Sequence, residues 1–140
     1  MIDYSRAKEI FFRYSSSKFQ MMRDGFSAEY YSFQVPDDLE AKWLIELIKQ
    51  ELHKLDINNV DTLFPLWYIL ETNCSIDYLQ DIVDFIENNS NKVDDEFKLL
   101  IFTQKVLETI DRIASSCSKI SSYELDKYRK KLTSVPLKNF

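Results

Sequence analysis

The chain contains one glycine, Gly25, among its 140 residues. Glycine supplies the positive-φ positions of tight hairpin turns and allows the close backbone approach of phosphate-binding loops. Its scarcity therefore argues against most tight-turn β architectures and against glycine-rich nucleotide sites. Hydrophobic residues make up 45% of the chain and aromatic residues 14%, which is enough apolar surface to build a core and excludes a disordered tail.

Apolar side chains recur at helical spacing through most of the sequence. This periodicity, with the capping signals, predicts helices over residues 4–14, 37–55, 61–72, 76–87, 94–114 and 121–132. The segment 61–72 is apolar around nearly its whole circumference, which predicts a central position. We expect an all-α fold, a single domain over residues 1–140 of six or seven stacked antiparallel helices. Residues 36–132 would form the stack and residues 133–140 a tail.

The N-terminal segment, residues 1–35, is less regular and rich in large apolar side chains. Residues 30–35 lead into Pro36 and are expected to form a short strand or an extended run. The segment either closes one end of the helical core or presents a surface to a partner or ligand, and both interpretations stay open. Its large apolar residues are Phe19, Met21, Met22, Phe26, Tyr30, Tyr31 and Phe33.

The run VDTLFPLWYILETNCSIDYLQDIVDFIEN, within residues 60–89, resembles one unit of a HEAT-type helical repeat of the kind found in small bacterial all-α proteins. It has a first helix with an early proline, a short turn, and a second helix with an apolar inner face. The resemblance implies a HEAT-like stack or an irregular helical bundle whose surfaces bind other macromolecules. It implies no chemistry.

Charge is distributed unevenly along the chain. Residues 56–96 contain ten acidic residues and one basic residue, whereas residues 119–140 contain six basic residues and two acidic ones. An acidic surface repels nucleic acid but attracts a basic protein partner. The alternative interpretation is that these carboxylates only keep the outer face solvated. The residues expected to contact a partner are Asp77, Asp81, Asp84 and Glu87, together with Arg23, Tyr30 and Tyr31 from the N-terminal segment.

The sequence offers little for catalysis or metal binding. His53 is the only histidine, and it has no serine or cysteine at a spacing that would pair with it locally. Asp77, Asp81 and Asp84 share one stripe, but the further ligands that a cation needs are not evident. The C-terminal basic helix has too thin an apolar face to bind a membrane. We predict no catalytic residue, no metal, no cofactor, no nucleic acid and no membrane contact.

Cys74 and Cys117 lie 43 positions apart and are expected to be reduced thiols in a reducing compartment. The sequence has no apolar stretch of 18 residues and no recognisable secretory signal, so we expect a cytoplasmic protein.

Three functions are compatible with these features. The first is a non-catalytic protein-binding module with an acidic surface, for example an immunity protein or antitoxin that masks a basic toxin site. The second is a structural or regulatory subunit that forms a homo-oligomer through Tyr30, Tyr31, Phe33 and Trp43. The third is an enzyme with an unrecognised pocket that uses Arg23, Asp24 and Glu29.

Overall fold

A computed structural model describes residues 2–117 and 120–134, and this part of the chain is all-α, as predicted. Short 3-10 turns at Val60–Thr62 and Ser90–Lys92 accompany the α-helices. The described residues contain no β-strand, and Asp56 and Asn59 form only an isolated bridge. The α-helices are α1 (Ser5–Arg13), α2 (Lys18–Arg23), α3 (Ser27–Ser32), α4 (Asp37–His53), α5 (Leu63–Thr72), α6 (Leu79–Asn89), α7 (Glu96–Ser116) and α8 (Ser122–Ser134).

The chain divides into two compact units, Met1–His53 and Lys54–Phe140. The smaller unit contains α1 to α4, and the larger unit contains α5 to α8. The single domain expected over residues 1–140 stays a prediction. Of the tail expected at residues 133–140, residues 133 and 134 belong to α8, and the rest lies outside the described residues.

In the smaller unit, α1 packs against α3 and α4. The inner face of α1 buries Ala7, Ile10 and Phe11, as its spacing predicts. The Phe11 ring lies against the buried Trp43 ring of α4, with their centroids 5.6 Å apart.

Residues 15–35 form two short helices with a turn between them. Ser17 caps α2 by accepting a hydrogen bond from the backbone N–H of Gln20 at 3.2 Å. Gly25 then takes a φ of +84°, a conformation that glycine adopts at little cost. The strand or extended run predicted for residues 30–35 is wrong for residues 30–34: residues 30–32 belong to α3, Phe33 keeps a helical backbone conformation, and Gln34 has a φ of 50°. Pro36 restricts only the residue before it, and that restriction does not reach the helix.

In the larger unit, α5 and α7 lie side by side and run in the same direction. Two pairs of contacting residues show this alignment, since both are separated by the same 41 positions. The Lys105 ammonium lies 5.1 Å from the centre of the Phe64 ring. About two turns further along both helices, the Arg112 guanidinium lies 3.7 Å from the Glu71 carboxylate. A constant offset between contacting residues is the signature of parallel helices, because both chains then advance together.

The two cysteines are joined to each other, so the expectation of reduced thiols is wrong. Cys74 lies two residues beyond the end of α5, Cys117 directly follows α7, and their Cα atoms lie 5.8 Å apart in a disulfide. Parallel packing of α5 and α7 brings these two helix ends together. Cys74 takes a φ of 47° in a Schellman-type helix end, where Ser75 N–H donates to the Leu70 carbonyl at 3.0 Å.

We expect the double variant Cys74→Ser/Cys117→Ser to be less stable by about 4 kcal/mol. The bond closes a loop of 43 positions, and the chain entropy that it removes from the unfolded state grows with loop length. Urea unfolding of the oxidised wild type and of the variant measures the difference. A reductant should lower the urea concentration at the unfolding midpoint of the wild type and leave the midpoint of the variant unchanged. Equal midpoints for the two oxidised proteins would contradict the prediction.

Candidate protein-interaction surfaces

Helix α6 presents the predicted acidic surface. It buries Leu79, Ile82, Val83 and Ile86 on its inner face. Asp81, Asp84 and Glu87 lie on the exposed side of the same helix. Asp77 is also exposed, but it precedes the helix, which begins at Leu79 rather than at residue 76. We call Asp77, Asp81, Asp84 and Glu87 the α6 acidic surface.

No residue of the α6 acidic surface belongs to any of the ion pairs formed within residues 2–117 and 120–134. Asp84 accepts a hydrogen bond of 2.7 Å from the Gln80 amide, whose oxygen accepts one of 3.0 Å from Lys131. Some acidic residues elsewhere are neutralised directly: Asp111, for example, pairs with Arg129 at 3.1 Å. The α6 acidic surface therefore keeps its negative charge free to act on solvent or on a partner.

The three N-terminal candidates do not form one surface. Arg23 is exposed and donates to Asp24 at 2.9 Å. The ring of Tyr31 is also exposed, at 56%. Tyr30 is only 2% exposed and Trp43 only 5%, so the expectation that both present exposed rings for self-association is wrong. Both contribute instead to the core of the smaller unit.

Tyr30 belongs to a polar cluster that joins α2, α3 and α4. Its hydroxyl donates a short hydrogen bond to Glu40, and Lys18 pairs with the same carboxylate at 2.8 Å. The Lys18 ammonium also lies 4.9 Å from the centre of the Tyr30 ring. Burial, followed by the hydrogen bond to the Glu40 carboxylate, raises the pKa of Tyr30 well above its usual value. The cluster connects three helices and holds Tyr30 protonated.

The polar residues proposed for an enzyme pocket are paired in separate places. The Arg6 guanidinium donates two hydrogen bonds to Glu29, at 2.7 and 3.2 Å, and lowers the pKa of that carboxyl. Asp24 is bound by the neighbouring Arg23, whose hydrogen bond lowers its pKa as well. These carboxylates are held ionised by arginine, whereas a general acid at neutral pH needs a raised pKa.

A second surface, which the sequence did not reveal, lies between α5 and α7. A groove of about 530 Å³ runs between the two helices. Its lining residues are Val60, Phe64, Leu100, Ile101, Gln104, Lys105 and Glu108. Phe64 and Ile101 are each 45% exposed, and the neighbouring Phe97 is 66% exposed. The central position predicted for residues 61–72 is therefore wrong for one side of α5, although Leu63, Leu66, Trp67, Ile69 and Leu70 are buried.

Within the described ranges, no three histidine, cysteine, aspartate or glutamate side chains are grouped to hold a metal ion. Those ranges also include no helix with the length and apolar character needed to cross a membrane.

The raised pKa of Tyr30 predicts a stability loss in alkali. An unfolded tyrosine ionises near pH 10, whereas the folded protein keeps Tyr30 protonated beyond that point. Its contribution to stability is complete below about pH 10 and declines as the pH rises further, by up to about 1.4 kcal/mol per pH unit. Urea unfolding between pH 9 and 11 should show a flatter decline for Tyr30→Phe. Tyr31→Phe, which changes an exposed ring, should keep the wild-type slope, and a wild-type slope in Tyr30→Phe would contradict the prediction.

No known family model, curated protein or solved structure matches this chain. The HEAT-type resemblance of residues 60–89 stays a prediction, and function has to be argued from the surfaces themselves.

Proposed function

We propose that the chain is a non-catalytic protein-binding module whose α6 acidic surface binds a basic protein partner. The observation that carries the proposal is the exposure of Asp77, Asp81, Asp84 and Glu87 outside every ion pair of the described residues. The sequence around them supports it, since residues 56–96 contain a single basic residue.

Such a surface has a defined physical effect on association. Carboxylates fixed on one helix add their fields, which attract a basic patch and raise the rate of productive encounter. The buried residues of α6 hold the helix in place, so these charges keep their spacing without a partner. Salt weakens the attraction because the charges are exposed and the Debye length shortens with ionic strength.

The concrete version of this proposal is an immunity protein or antitoxin that covers the basic active site of a toxin. A rigid acidic helix suits such a role because it can occupy a site built to hold an anionic substrate.

The cytoplasmic location expected from the sequence is no longer supported by free thiols. Disulfides persist mainly in oxidising compartments, so the Cys74–Cys117 bond favours a compartment outside a reducing cytosol.

We expect Asp81→Asn/Asp84→Asn to lose a basic partner that the wild type captures from host lysate. Both proteins are used as bait at about 0.01 M and 1 M salt, where the Debye length is about 30 Å and 3 Å. The wild type should retain a basic protein at low salt only.

The matched control is Asp37→Asn/Asp38→Asn. It removes the same charge from two exposed acidic residues in the first turn of α4, and it should capture the partner like the wild type. Equal capture by all three baits would show that the α6 acidic surface only contacts solvent.

A further inference from the structure

We propose that the groove between α5 and α7 binds an amphipathic α-helix of a partner protein, with apolar side chains in the groove and Lys or Arg at both of its ends. This inference uses none of the residues of the α6 acidic surface and stands independently of the function proposed above.

The apolar part of the groove has the dimensions of a helix-binding site. On α7, Phe97, Leu100 and Ile101 occupy adjacent positions at i, i+3 and i+4, and all three are exposed. Phe64 and Tyr68, which are one turn apart on α5, are exposed as well. From residue 97 to residue 108, α7 rises about 16 Å, which is the length of three helical turns. A partner helix would place apolar residues at i, i+3 or i+4, and i+7 along this length.

Acidic residues lie at both ends of the apolar stretch. Glu96, which is exposed, precedes Leu100 by one turn on α7. Glu108 lines the opposite end, one turn beyond Gln104. This arrangement complements a helix whose apolar stripe is flanked by basic side chains.

The lysine in the groove does not cancel this negative charge at the ends. Lys105 is only 21% exposed as a side chain, and its ammonium lies over the Phe64 ring. It is also paired with Glu108 at 3.8 Å, which has 53% of its own side chain exposed. The stem of Lys105 therefore extends the apolar floor, while Glu108 remains accessible to a partner.

The charges also decide against a second copy of this chain as the occupant. A symmetric dimer through the groove would bring acidic ends close to acidic ends or to the same apolar stretch. The nearby lysines Lys98 and Lys105 are already paired with Asp94 and Glu108 within the chain. A basic amphipathic helix meets both the apolar stretch and the acidic ends.

The disulfide prepares this groove for binding. Cys74 and Cys117 fix the ends of α5 and α7 at a Cα separation of 5.8 Å, which limits how far the two walls can move apart. A groove whose walls are already in place loses less conformational entropy when the partner helix enters.

The test uses a labelled 18-residue peptide with leucines along one helical face and lysines elsewhere, and a scrambled peptide of the same composition. Fluorescence anisotropy at about 0.15 M salt should show that the amphipathic peptide binds at least about tenfold more tightly than the scrambled one. The variant Ile101→Lys should weaken binding by at least about tenfold. Ile45→Lys is the matched control, since Ile45 is 42% exposed on α4, and it should bind like the wild type.

Three results would overturn the proposal. The first is equal binding of the two peptides, which would mean attraction by charge alone. The second is unchanged affinity in Ile101→Lys, or an equal loss in Ile45→Lys. The third is a wild-type dimer that Ile101→Lys converts to a monomer in sedimentation experiments, which would assign the groove to a second copy. Asp81→Asn/Asp84→Asn should bind the amphipathic peptide like the wild type, so the groove and the α6 acidic surface are tested separately.

Discussion

The parallel contact between α5 and α7 determines the main surface features of the larger unit. It aligns Phe64 with Lys105 and Glu71 with Arg112, and it brings Cys74 to Cys117. The buried side of the contact builds the core, and the other side leaves an apolar groove. Because the disulfide closes a long loop, it stabilises the same alignment mainly through the unfolded state. Stability and the shape of the groove therefore depend on one interaction.

Much of the fold could be predicted from the sequence. The apolar spacing and the caps located α4, α5 and α7 to within a few residues, because long periodic segments carry a strong signal. Helix α3 was harder to predict, since six residues hold too few positions to establish a period. The polar cluster of Lys18, Tyr30 and Glu40 was also not predicted, because it joins three helices and has no local pattern in the sequence.

The groove and the disulfide escaped prediction for different reasons. Residues 99–102 are all apolar, and four consecutive residues cover every side of a helix, so periodicity alone does not select a face. The buried face includes Thr103 and Thr109, which the hydrophobic pattern omits. The disulfide depends on two helices that run in parallel with another helix between them in the chain. The feature of the sequence that could have indicated the disulfide is that each cysteine lies just beyond the end of a helix. The 43 positions between the two cysteines carry no such information.

The acidic residues of the larger unit contribute little to holding it together. Exposed ion pairs are each worth about 0–1 kcal/mol, and the α6 acidic surface forms none within the described residues. Packing of residues such as Leu66, Ile82 and Phe102, all fully buried, outweighs the repulsion among exposed carboxylates because each such side chain contributes about 2–3 kcal/mol. The stability of the fold therefore does not depend on these unpaired carboxylates. In the proposed association with a basic partner, their charge would act directly.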